Sequence, residues 1–292
     1  MRGRVSGVQA RIKDLAPHAT YFHCHAHRLN LDLVDVLNNI DIVNDFFSTV
    51  QTLYQFISNS TIRHELFIKI QQRMNKPVLN LERTVPTRWF YWLNAVSKIR
   101  KTYQAILAVL DEGKKDMAES IGIKAQIMQK IFIFLLCAKE KILGIPYCLS
   151  QQLQAEELDL AAAVHLIKST KEELQKSRTD DTYREVLEKA KSLADSSGIV
   201  YDEQKRMKTV PHRLDASVIM STTGNKYTET KAIYFEVIDR IHVEYNRRFS
   251  ENEGLFSVTD AFKKENQGFM AEEKLNTLIE NYKHFLNWHT QK

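Results

Sequence analysis

The chain runs to 292 residues, 43% of them hydrophobic and 26% charged, an ordinary globular balance with length for one large domain or two small ones. Its nine glycines form no phosphate-cradling pattern, and three cysteines (Cys24, Cys137, Cys148) are too few for a disulfide framework, which argues against a nucleotide-loop enzyme and a disulfide-stapled module. The net charge of +5 permits nucleic acid without requiring it, while the longest apolar run, Ile131 to Ala138, is too short to span a bilayer, so no membrane partner is expected. Met1-Arg2-Gly3-Arg4 is followed by polar residues rather than the apolar stretch of a secretory signal.

Tyr21 and Phe22 favour an extended backbone, so a short strand near Tyr21–Cys24 is predicted, with His23, His25 and His27 sharing one face while Cys24 and Ala26 point into a core. From Leu29 the apolar residues recur with a 3.6-residue period through Ile57, which predicts a long helix broken once near Asp41. Asn59-Ser60 punctuates it, and a shorter helix spans Ile62 to Met74, ending ahead of Pro77. Residues 76–86 read as extended or looped. Thr87 can cap a helix starting at Arg88, whose core stripe begins with Trp89, Leu93, Val96 and Ile99.

Helices are predicted next over Ile123–Leu143, stopped by Gly144 and Pro146, over Leu149–Leu174, and over Tyr183–Ala194, closed by Ser196-Ser197-Gly198. Periodicity disappears between Ile199 and Asn225, where Lys205, Arg206, Lys208, His212 and Arg213 gather around Pro211, so a long basic connection is expected there. Helical spacing resumes over Ile233–Phe249 and again over Leu275–Leu286. The reading is mainly α, with one short strand that has no partner in the chain.

Two segments offer candidate functional groups, and of these the residue types of the first are hard to explain by packing alone. The first is Cys24-His25-Ala26-His27-Arg28, whose C-x-x-H pair supplies two zinc-type ligands but no second pair to close a tetrahedral site; Cys24 filling a core position and histidines hydrogen-bonding locally is the plainer reading. The second is Thr87-Arg88-Trp89, where a planar cation beside a large aromatic suits phosphate contact and base stacking. Spacing alone favours Trp89 as the first core residue of its helix, with Arg88 solvated. Arg2, Arg4, Arg11, Lys13 and Arg28 face only Asp14 in the first thirty residues, a plausible phosphate-facing surface. Asp32, Asp35, Asp41 and Asp45 lie along helix rather than converging, so no complete acid–base or metal-ion active site is offered.

Val5-Ser6-Gly7-Val8-Gln9-Ala10-Arg11-Ile12, then Cys24-His25-Ala26-His27-Arg28-Leu29-Asn30-Leu31, then Thr87-Arg88-Trp89, in that order, resemble the hAT transposase superfamily, in particular the transposase-derived zinc finger MYM-type proteins and the repressor of the inhibitor of protein kinase-like proteins. Lys208-Thr209-Val210-Pro211-His212-Arg213-Leu214-Asp215 and Arg248-Phe249-Ser250 resemble the same subgroup, and the likeness covers roughly residues 3–250. The resemblance implies an RNase H-like α/β core interrupted by a large helical insertion. Residues 1–40 would be a core remnant holding the Tyr21–Cys24 strand, 41–250 the all-helical insertion, and 251–292 a helical tail. It places Cys24 and His27 beside the family's active site, makes Arg88 and Trp89 the insertion-domain pair that contacts DNA, and counts Cys24, His27 and Arg28 with them as DNA-binding residues. The basic patch of Arg2, Arg4, Arg11, Lys13, Lys205, Arg206, Lys208 and Arg213 would support them.

The family's acidic triad, which binds two divalent metal ions, is not matched in this chain. Its first member belongs upstream of Met1, its second to a segment of which Met1-Arg2-Gly3 remains, and no C-terminal glutamate matches the third. The expectation is therefore a truncated, nuclear, catalytically incomplete DNA-binding protein with no cofactor and no metal site of its own. A helical protein-interaction or self-associating scaffold is the alternative, and part of an active transposase the third if upstream sequence is missing.

Overall fold

The computed structural model describes residues 7–16, 24–85, 88–112, 117–154, 160–201, 226–249, 261–262 and 269–289, and among them it is built of helices, with no strand. In chain order these are α1 (Val8–Leu15), α2 (His25–Asn38), α3 (Asp41–Ser58), α4 (Thr61–Arg73), α5 (Trp89–Glu112), α6 (Met117–Ile127), α7 (Lys130–Gln152), α8 (Leu160–Lys176), α9 (Asp180–Asp195), α10 (Lys226–Phe249) and α11 (Glu272–His289). The mainly α reading holds. Extended pairing among the described residues is limited to an isolated bridge between Val85 and Arg88.

The long apolar stripe from Leu29 to Ile57 becomes α2 and α3, broken at Asn39-Ile40, where expected. Ser60 caps α4 by accepting from the Arg63 N–H at 3.4 Å, and the Thr179 hydroxyl does the same for Thr182 N–H at the start of α9. Gly198, at φ +69°, ends α9 in the left-handed conformation that glycine adopts without a Cβ clash, and the Ile199 N–H returns to the Ala194 carbonyl at 2.9 Å. Thr87, the expected cap of α5, and the basic segment around Pro211 lie outside the described residues.

Two expected helix bounds are corrected. No break occurs at Gly144 and Pro146; it falls at Met128-Gln129, and α7 runs through both residues. An interior proline costs a helix about 3 kcal/mol, but Pro146 is buried and most of α7 from Phe132 to Leu149 packs into the core, which outweighs that cost. The predicted helix over Leu149–Leu174 is consequently divided: Leu149–Gln152 complete α7, and α8 begins at Leu160. Finally, Val8–Leu15 forms a helix that its sequence did not announce, and none of its residues is buried.

One hydrophobic core extends from Leu29 on α2 to Phe249 on α10. α7 lies at its centre, packed against α5, α8 and α9, while α10 closes against α2 and α8. Ring contacts knit the helices together, Phe47 to Trp92 at 4.7 Å and Phe46 to Phe132 at 4.9 Å between centroids.

The segment between α4 and α5 aims the start of α5, and buried or half-buried polar groups hold it. The Gln71 side chain, fully buried, donates to the Leu79 carbonyl at 3.1 Å and accepts the Leu79 N–H at 2.8 Å. Gln51 accepts from the Thr84 N–H and hydroxyl, Lys98 pairs with Glu82 at 2.6 Å, and the Trp92 indole N–H donates to the Val85 carbonyl at 2.9 Å. Arg88 is thereby delivered to the surface next to α2. No single described helix is long and apolar enough to cross a membrane.

Candidate nucleic-acid interface

α2 begins at His25, so Cys24-His25-Ala26-His27 is the entry to a helix rather than a strand. Successive residues in a helix turn by about 100°, which separates the histidines that an extended run would have aligned. His25 is half-buried, with its ring 5.8 Å from that of Phe249, and burial, with the Arg28 charge adding to it, lowers its pKa, favouring the neutral imidazole. His27 is exposed on another side. Cys24 is also exposed, a free thiol at the N-cap of α2 rather than a core residue; its carbonyl accepts the Arg28 N–H at 3.0 Å. The helix wins because Leu29, Leu33, Val36 and Leu37 form one continuous buried stripe, which a helix starting at His25 extends by a turn. Tyr21, Phe22 and His23 lie outside the described residues.

The N-terminal turn of α2 and the first turn of α5 meet, although sixty residues of sequence separate them. Together with the C-terminal turns of α7 they enclose an open groove of about 620 Å³, lined on one wall by Ala26, His27 and Asn30, on another by Arg88, Trp89, Phe90 and Tyr91, and by Tyr147, Ser150, Gln151 and Gln154 of α7 and its end. The Phe90 and Tyr147 rings lie nearly parallel, 20° apart with centroids at 5.5 Å, and Phe90 remains 38% exposed. Gln151 donates its amide to the Tyr147 hydroxyl at 2.6 Å, which orients that ring.

Chemically, the groove offers one guanidinium, one exposed imidazole, a stacked aromatic pair and amide groups able to donate and accept. Among the described residues no carboxylate lines it. The amino end of α2 adds the positive pole of its dipole, since the first-turn N–H groups have no partner within the helix. That combination suits a phosphate at Arg88 and the α2 terminus with an aromatic or heteroaromatic ring on the Phe90–Tyr147 wall.

Of the residues singled out in the sequence, His27, Arg88 and Trp89 share this groove. Trp89, however, is only 2% exposed and belongs to the core, the plainer of its two readings; its role is to seat the first turn of α5, and the ring surface open to a ligand is that of Phe90. Arg28 is half-buried next to His25, and Cys24 is exposed at the α2 entry; neither lines the groove. Arg11 and Lys13 are exposed on α1. Arg2, Arg4, Lys205, Arg206, Lys208 and Arg213 lie outside the described residues. No group of three or more histidine, cysteine, aspartate or glutamate side chains able to hold a metal ion occurs among the described residues.

Phe90, Tyr147 and the amides of Asn30, Gln151 and Gln154 escaped the sequence reading. The aromatic run Trp89-Phe90-Tyr91-Trp92 was the available signal for Phe90, because a helix cannot bury four consecutive rings. Nothing in the sequence near Tyr147 pointed to α5. A scan against protein-family models finds no match for this chain, and a search of the solved structures finds none either.

Proposed function

We propose that this chain is a catalytically incomplete, transposase-derived protein of the nucleus that binds DNA at the groove between α2, α5 and α7. The observation that carries the reading is that His27 and Arg88, drawn from two motifs far apart in sequence, line the same groove together with a stacked aromatic pair and, among the described residues, no carboxylate. Arg88 supplies the phosphate contact, Phe90 and Tyr147 the stacking surface, and Arg11 and Lys13 further sequence-independent attraction.

Under this reading residues 1–40 descend from the edge of an RNase H-like core, 41–250 from its helical insertion and 251–292 from a tail. The core-remnant part rests on the resemblance alone, since no strand occurs among the described residues. DNA cleavage has no place in the proposal, because two-metal strand transfer needs converging carboxylates that the motif match does not supply.

Fluorescence anisotropy with a labelled oligonucleotide tests it. Binding is expected to be strong at low salt and to fall linearly in a plot of log affinity against log salt concentration, with Arg88→Gln lowering both the affinity and the slope. No binding at low salt, or identical salt slopes for the parent and Arg88→Gln, overturns the proposal.

A further inference from the structure

We propose that this protein self-associates by seating α1 of one copy in an acidic, apolar-floored groove between α3 and α7 of a second copy. Helix α1 is amphipathic, yet none of its residues is buried: on its apolar side Val8 is 56% exposed, Ile12 51% and Leu15 89%. The spacing of Val8, Arg11, Ile12 and Leu15 puts all four on one stripe, three apolar groups with a guanidinium set among them. A short helix whose apolar stripe stays half or more exposed gains little from tertiary packing, the main source of helix stability in proteins, and so calls for a docking surface.

The chain carries a surface of matching chemistry. A groove of about 440 Å³ opens between α3, the α6–α7 junction and the first turn of α10. Ile42, Phe46, Ile131 and Phe132 form its apolar floor, the last three including the Phe46–Phe132 ring pair, and Asp45 and Glu229 stand in its walls. Among the described residues no lysine or arginine lines it, and neither carboxylate makes an ion pair. Apolar groups around one cation on α1 thus face apolar groups around two anions in the groove.

Charge complementarity selects the occupant, and because one chain encodes both halves, a second copy of it is the partner. The helix of each copy entering the groove of the other gives a closed two-fold exchange, which doubles a contact that would be small alone. The acidic groove shares no lining residue with the DNA-binding groove, which is formed by α2, α5 and the C-terminal turns of α7; Arg11 is the one side chain that serves both the docking of α1 and the general attraction for DNA.

Size-exclusion chromatography with light scattering on the full chain, without DNA, decides the matter. The parent is expected to have a dimer mass that falls to the monomer mass on dilution. Ile12→Asp is expected to be monomeric throughout and to melt like the parent diluted to the monomer, because α1 buries no residue in its own chain. Arg11→Glu and Asp45→Arg are each expected to raise the dimer dissociation constant by about tenfold, and their combination in one chain to restore most of the loss. A parent monomeric at every concentration, as it would be if α1 stayed solvated or folded onto its own chain, overturns the proposal. So does a dimer indifferent to Ile12→Asp, or a double reversal no tighter than the single ones.

Discussion

Lys139 lies on α7 in the middle of the core, with no exposed surface and no hydrogen-bond partner for its Nζ among the described residues. Burial brings the pKa of its ammonium down from 10.5 to about 7. Each unit of displacement is worth about 1.4 kcal/mol, so the charged form disfavours folding by about 5 kcal/mol. The sign follows from proton counts. Between pH 7 and 10.5 the unfolded chain holds a proton that the folded chain has released, so stability rises with pH across that window, by at most about 1.4 kcal/mol per unit. Below pH 7 both states are protonated and the full deficit persists.

Methionine keeps the unbranched stem and removes the amine, so Lys139→Met is expected to be more stable than the parent by up to about 4 kcal/mol near neutral pH, with the difference shrinking steadily towards about pH 10. Urea unfolding followed by circular dichroism, repeated at several pH values, measures both the gap and its closure. A Lys139→Met protein less stable than the parent, or a stability gap that does not change with pH, would refute the reasoning.

Replacing both Phe90 and Tyr147 with leucine removes the stacked pair while keeping apolar bulk, and single-stranded DNA affinity should drop by about 1–3 kcal/mol per lost base contact in anisotropy titrations. Trp89→Ala should lower unfolding free energy by about 3–5 kcal/mol in urea titrations, because a 2% exposed indole leaves a cavity. Gln71→Leu should cost about 1–3 kcal/mol, since the Leu79 N–H and carbonyl lose the amide that satisfies both. Hydrogen exchange should then show faster exchange at Leu79 in that variant, and unchanged protection there would remove the amide from its holding role.

Sequence periodicity was a sound guide where one face of a helix is buried and the other wet. α2, α3, α4, α9 and α10 follow their apolar stripes, and the Ser60 and Thr179 caps and Gly198 mark ends that local chemistry determines. It misled at α7, which is buried nearly all round; there a one-sided stripe does not exist to be read, and packing overrides the stop signals of Gly144 and Pro146. It misled again at Cys24–His27, where two aromatic residues suggested a strand while the stabilising contacts come from leucines further along the same helix.

Half of the candidate site could be read from local sequence. Arg88 and His27 stand out because a cation beside an aromatic and a dense run of titratable groups are unusual in core-facing segments. Their meeting in one groove depends on how α2 and α5 pack, and Tyr147 joins them only because α7 continues past the residues expected to end it. Those are tertiary facts, which no periodicity encodes.

The central claim, that DNA lies along the groove formed by α2, α5 and α7, is tested most directly by photo-cross-linking bromouracil-substituted single-stranded DNA to the protein and mapping the adducts by mass spectrometry. Adducts on Phe90, Tyr91 or Tyr147 that disappear with Arg88→Gln are the expected result. Adducts confined to peptides outside the groove, or none under conditions where binding is measurable, would contradict the account.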